Sequence, residues 1–161
     1  MLVWFLVSSF GPTGATRKTH PLTRSSLSAR LIACCPGSGQ KVVEKVEQHL
    51  LTPFGLRTLA PSDPRYRRSY TGTPSERDGA YHQGTVWQWL LGPFITAYIK
   101  VNGGREEAKR QAQAWLSPLE SHLTEAGLGH VSEIFEGDAP HRSCGCIARG
   151  LERGQDSTRL F

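Results

Sequence analysis

The first 40 residues contain no acidic side chain at all, and the whole chain contains one methionine. Long apolar runs are missing too. The nearest is Met1-Leu2-Val3-Trp4-Phe5-Leu6-Val7, far short of the roughly 20 residues that span a bilayer. No positive stretch precedes that run and no small-x-small cleavage site follows it, which argues against a secretory signal. The four cysteines, Cys34-Cys35 and Cys144-x-Cys146, lack the paired spacing of a zinc site. They read as free thiols in a reducing compartment, so a cytoplasmic location is expected. Phosphate-cradling glycine loops, a Ser-His-Asp order and metal-binding histidine pairs are also missing, and no cofactor or metal is expected.

The charge is unevenly placed. A net charge of +5 and a pI near 9.3 would ordinarily suggest nucleic acid or an anionic membrane. Residues 1–40 supply +4 of it through Arg17, Lys18, Arg24 and Arg30, and residues 149–161 supply +1. The stretch 41–148 carries 12 basic and 12 acidic residues and is neutral. Basicity therefore sits in the ends, and neither a nucleic-acid nor a membrane partner is expected. A nucleic-acid-binding protein would instead show salt-dependent affinity residing in residues 1–40.

Between the ends, apolar spacing implies helices. Val42, Val43, Val46 and Leu50 follow a helical period over 41–51, closed by Thr52-Pro53 and Gly55. Residues 61–81 are rich in Pro, Gly, Ser and Arg without a sustained period, and read as a long loop. Trp87, Leu90, Leu91, Phe94, Ile95 and Tyr98 trace one helix face, with Pro93 expected to kink or restart the helix. A third helix starts at Arg105, with Glu106 and Glu107 at its positive end. Its stripe is Ala108, Ala112, Trp115, Leu116, Leu119 and Leu123, and Gly127 and Gly129 stop it. No strand stands out, so the fold class expected is all-α.

Two segments carry the chemistry. One is Arg77-Asp78-Gly79-Ala80-Tyr81-His82-Gln83-Gly84-Thr85-Val86-Trp87; the other is Ser132-Glu133-Ile134-Phe135-Glu136-Gly137-Asp138. Each sets carboxylates, hydrogen-bonding side chains and aromatics around glycine. Sugars need flat apolar faces to stack on and polar groups to meet their hydroxyls. Plainer readings stand beside this one. Glu133 could be a solvated glutamate in a turn, Trp87 also fits the core stripe, and His82 could be a satisfied loop histidine.

These segments, together with Leu50-Leu51-Thr52-Pro53-Phe54-Gly55-Leu56-Arg57-Thr58-Leu59, closely resemble the C-terminal part of bacterial glycogen debranching enzymes of the amylo-α-1,6-glucosidase type. The resemblance runs from about Val42 to Ala148. It implies a partial (α/α)6 toroid, the last few helices of a six-hairpin glycosidase domain. It also implies hydrolysis of α-1,6-linked glucose in branched α-glucans such as glycogen and limit dextrin. By resemblance Glu133 is the general base of an inverting reaction, one of the two carboxyl groups that glycoside hydrolysis uses. The segment from Tyr81 to Trp87 resembles a Tyr-Trp-Arg-Gly-Pro-x-Trp pattern that contributes to a sugar subsite. Arg77, Asp78, Tyr81, His82, Gln83, Gly84, Thr85 and Trp87 are therefore the expected substrate-binding residues, with Gly84 allowing close backbone approach. Trp87 or Trp89 supplies the stacking face. Gln88 replaces the proline usual in the family, and His141, in the Asp-Ala-Pro-His string, is expected to shape its loop. The general acid belongs to a family segment outside this chain, so the chain alone is expected to be poorly folded and inactive. A non-catalytic glucan-binding remnant is the alternative.

Residues 1–40 and 149–161 are expected to be out-of-frame peptide, disordered at the N-terminus. Codons can be chosen for residues 21–40 so that a shifted reading flows into Val42-Val43-Glu44-Lys45 as the family does, and Gln40-Lys41 can be encoded by an adenine run where one base slips. The competing reading is a natural basic arm that binds a partner. Resequencing the locus should reveal a one-base slip at each boundary; an unbroken frame on both sides would end this reading.

Overall fold

The computed structural model describes residues 39–125 and 129–146. Within them the chain is not all-α. Four helices and a five-stranded antiparallel sheet make up the fold, the strands lying in chain order. The helices are α1 (Gly39–Leu50), α2 (Pro74–Ala80), α3 (Leu91–Val101) and α4 (Glu106–Glu125). The strands are β1 (Leu51–Thr52), β2 (Gly55–Arg57), β3 (Val86–Trp87), β4 (Ile134–Phe135) and β5 (Ser143–Cys144). The physical reason for this correction to the expected class is length. A period of two cannot show in elements of two or three residues, and two short hairpins, β1–β2 and β4–β5, are joined into one sheet by the long-range pairing of β3 with β2 and β4. The expected six-hairpin toroid segment is thus replaced by an α and β arrangement, among the described residues.

The three longer helices appear where apolar spacing places them. Val43, Val46 and Leu50 form the buried face of α1. It packs against α3, and α3 packs against α4. Of the two outcomes expected at Pro93, a kink or a restart, the helix shows a restart. A short 3₁₀ turn over Gln88–Leu90 leads into the helix, and Pro93 falls in the first turn, where a missing N–H costs little. Asn102 caps the other end, followed by Gly103 and Gly104 at φ of 68° and 67°. Along α4, Ala108, Ala112 and His122 are the buried positions, while Trp115, Leu116 and Leu119 lie half-buried against the core. Pro118 lies inside α4. The expected stop at Gly127, the bulk of residues 1–40 and all of 149–161 fall outside the described residues. Gly39 and Gln40, at the edge of the expected out-of-frame stretch, are in α1.

Residues 61–81 are not wholly loop. Thr73 caps α2 in a reciprocal capping box: its side chain accepts from the Glu76 N–H, and the Glu76 carboxylate accepts from the Thr73 N–H at 2.7 Å. The Thr-Pro-Ser-Glu spacing that does this was readable in the sequence.

Sheet register turns on Gly55. Leu51 faces Leu56 and Thr52 faces Gly55 across the β1–β2 hairpin, whose Thr52 hydroxyl donates to the Gly55 carbonyl at 2.9 Å. Gly55 has φ of 144°, and a Cβ there would stand 2.5 Å from the Trp87 carbonyl oxygen. Glycine therefore lets β3 close onto β2, pairing Leu56 with Trp87 and Arg57 with Val86. The core below the sheet joins Val46, Leu56, Phe94, Ile95 and Ile134. Phe94 is fully buried, and Phe94→Ala should lower unfolding free energy by about 3–5 kcal/mol, measured by urea denaturation.

Candidate functional site

The sheet brings the two chemistry-bearing segments side by side. Val86 on β3 pairs with Phe135 on β4, so the Arg77–Trp87 segment and the Ser132–Asp138 segment meet along one ladder. A side-chain bond crosses the same junction: the Tyr81 hydroxyl donates to Oε1 of Glu133. Glu133 is only 7% exposed. Its other oxygen, Oε2, accepts the Cys146 N–H at 3.0 Å, and its own N–H donates to the Cys146 carbonyl at 2.9 Å. Glu133 is therefore a buried, hydrogen-bonded side chain and not a solvated turn residue; a carboxyl group taken out of water needs such partners.

The turn from α2 into β3 is wound around the Tyr81 carbonyl. That oxygen accepts from the Thr85 hydroxyl at 2.6 Å and from the Trp87 indole N–H at 3.1 Å. The Trp87 ring stands edge-on to Tyr81, with centroids 4.7 Å apart, and lies parallel to His82 at 5.7 Å and 8°. Trp87 is 9% exposed. Its indole belongs to the core, and His82 covers one of its faces. His82 itself is exposed, and packing against its neighbours pushes its imidazole below the usual histidine range. Any aromatic surface at this point is therefore offered by His82 backed by Trp87. Trp89 is half-buried against the core.

The other expected residues divide into two groups. Gln83, Gly84 and Thr85 sit in the turn itself, Gly84 and Thr85 buried and Gln83 half-buried. Arg77 and Asp78 lie on the exposed side of α2, and their side chains make no hydrogen bond or ion pair among the described residues. Gly84 does allow a close approach, but its neighbour is protein. A Cβ there would stand 2.2 Å from the Arg67 carbonyl oxygen and 2.8 Å from the Tyr66 ring. At Gly137 a Cβ would meet the Tyr66 hydroxyl at 2.4 Å and the Gly84 carbonyl at 2.7 Å. Both glycines make room for the Tyr66 loop, which binds the two segments together.

Tyr66 was not legible as a site residue. Its hydroxyl donates to Asp138 at 2.7 Å, while the Arg68 carbonyl accepts the Gly137 N–H at 2.8 Å. Arg57 adds a bond from Nε to the Gly137 carbonyl at 2.7 Å. His122 was also missed. It is buried on α4 with Nε2 3.1 Å from the Ser132 hydroxyl, next to Glu133, and its ring stands edge-on to Phe135 at 5.0 Å. Its place at helical spacing from Trp115 and Leu119 was the available signal. His141 shapes its loop: at φ of 56°, after the cis Ala139–Pro140 bond, its Nδ1 lies 2.9 Å from the Glu136 carbonyl.

Residues 20–153 match the model of the family described as Amylo-alpha-1,6-glucosidase. The chain belongs to the amylo-α-1,6-glucosidase family. The family match takes in residues 20–38 and 147–153, which lie outside the described residues. Among similar proteins, the glycogen debranching enzyme of Saccharomyces cerevisiae is 38% identical over 111 residues, which are 63% of this chain and 7% of that protein. This amylo-α-1,6-glucosidase family chain thus spans a small part of that relative's length. Among the described residues no helix is long and apolar enough to cross a membrane.

Burial and the bond to Asp138 push the Tyr66 phenol up to about 12. A phenol whose folded value exceeds its unfolded value near about 10 stabilises the fold below that unfolded value, and the contribution is lost as pH rises through the folded one. Stability should therefore fall between about pH 10 and 12. Tyr98 is raised as well, by burial first, so the test is a difference: Tyr66→Phe should flatten part of that decline in denaturation midpoints taken across the window.

Proposed function

We propose that this chain serves the hydrolysis of α-1,6-glucosidic branch linkages in glycogen-like glucans, the debranching step of glycogen catabolism. Family membership supports the reaction class. The observation that carries the assignment of residues is the meeting of Glu133 with the Arg77–Trp87 segment across the β3–β4 pair. Glu133, ionised, takes the proton from a water molecule as that water attacks the glucose carbon on the face opposite the leaving oxygen. His82 and Gln83, in the turn beside Tyr81, meet sugar hydroxyls, while Arg77 and Asp78 on α2 extend the polar rim and Tyr81 lies against the carboxylate. Gly84, Thr85 and Trp87 hold the turn in shape. Protonation of the leaving oxygen needs a second carboxyl group, supplied from polypeptide outside this chain. The chain then acts as one part of a debranching enzyme, and the out-of-frame reading of its ends belongs to this proposal.

A second reading, glucan binding without turnover, is favoured by the burial of Glu133 to 7% exposure. Water must reach a carboxylate before the carboxylate can act on it. The two readings separate experimentally. The purified chain should co-sediment with glycogen and release no glucose from limit dextrin. With the segment restored to a full-length family enzyme, Glu133→Gln should cut kcat by about 10²–10⁴-fold and leave glycogen binding intact. Undiminished turnover in that variant sinks the catalytic reading. Binding that survives with no turnover in either form, and is lost on His82→Ala, supports the second.

A further inference from the structure

We infer that Tyr81 is a positioning residue for Glu133, holding its carboxylate in place and in its ionised form, and is not primarily a sugar contact. The inference rests on Glu133 being the base of the proposed reaction. A phenol has a single hydrogen to donate, and the Tyr81 hydroxyl gives it to Oε1 of Glu133. Oε2 is held from another direction by the Cys146 N–H at 3.0 Å. With both oxygens tethered to different parts of the chain, the carboxylate plane is fixed. A sugar hydroxyl could then meet Tyr81 only at the lone pairs of its oxygen.

The phenol that does this is itself held. Its main-chain N–H donates to the Arg77 carbonyl at 2.9 Å, closing α2. Its carbonyl is the acceptor for Thr85 and Trp87 described above. Its ring is flanked by Trp87 at 4.7 Å, His82 at 4.9 Å and Tyr70 at 5.9 Å. A hydroxyl placed so firmly acts on the charge state of its partner. Burial favours the neutral acid, which cannot take a proton from water; a donated hydrogen bond favours the anion. The Tyr81 hydrogen bond opposes the effect of burial on Glu133, in the direction that the proposed base requires.

The test reads the carboxyl group directly, in the full chain, with ¹³C-labelled glutamate side chains followed by NMR across pH. Tyr81→Phe keeps the ring and its packing but removes the hydroxyl. Its Glu133 titration midpoint should rise by about one to two pH units above that of the parent chain. An unmoved midpoint overturns the inference, since loss of a merely structural phenol would not shift a carboxyl titration. Should the variant fail to fold, the reciprocal measurement decides. Glu133→Gln removes the neighbouring anion, and the Tyr81 phenol, followed by ¹³Cζ labelling, should titrate at lower pH; an unchanged phenol titration overturns the inference. Neither measurement requires hydrolysis. A shifted midpoint without glucose release from the full-length enzyme would sink the catalytic reading and leave the positioning role standing, while glucose release with an unmoved midpoint would do the reverse.

Discussion

A buried carboxylate is the constraint around which this chain is organised. Glu133 cannot be taken out of water without hydrogen-bond donors, and its oxygens are met from both directions along the chain, by the Tyr81 hydroxyl 52 residues before it and the Cys146 main chain 13 residues after it. Meeting that requirement draws the end of α2, the β3 turn and the residues just after β5 into one place. The short strands are the backbone's share of the same arrangement, with Val86 paired to Phe135 and Ile134 to Cys144.

What makes the junction tight is the absence of side chains at three glycines. Gly55 lets β2 and β3 close, while Gly84 and Gly137 leave space for the ring and hydroxyl of Tyr66. The Tyr66–Arg68 stretch then staples the two segments, through Asp138 on one side and the turn at Gln83 and Gly84 on the other. His122 works from the opposite side, reaching Ser132 from α4 while its ring meets Phe54 and Phe135 edge-on. Glu133 is thus braced along both its neighbours and its own oxygens. Such bracing would preorganise Glu133 for the role proposed for it.

The helices were largely legible. Val43, Val46 and Leu50, then Phe94 and Ile95, then Ala108 and Ala112 all lie on the faces that their spacing assigns. Residues 61–81 have the composition of a loop, but the capping box at Thr73 and Glu76 is a local signal that outweighs it. The sheet was not legible. Strands of two or three residues carry no periodic pattern, and β3 is joined to β2 and β4 by pairs such as Leu56 with Trp87 and Val86 with Phe135, far apart in sequence. Trp87 shows the same limit: it satisfies a helical period, yet it sits on a strand, buried, its indole N–H bonded to Tyr81.

From residues alone came the neutral middle with basic ends, the amphipathic helices, the two sugar-suited segments and the resemblance that placed them in a glucosidase family. Those are properties of local composition, spacing and order, which a linear string preserves. Only the folded chain determined that the two segments are neighbours, that Glu133 is sheltered, that Tyr81 is turned toward it, and that Gly84 and Gly137 admit Tyr66. Each of these depends on which distant groups satisfy a buried charge or fill a vacant Cβ position. Such partners are chosen by three-dimensional packing, and no spacing along the sequence encodes them.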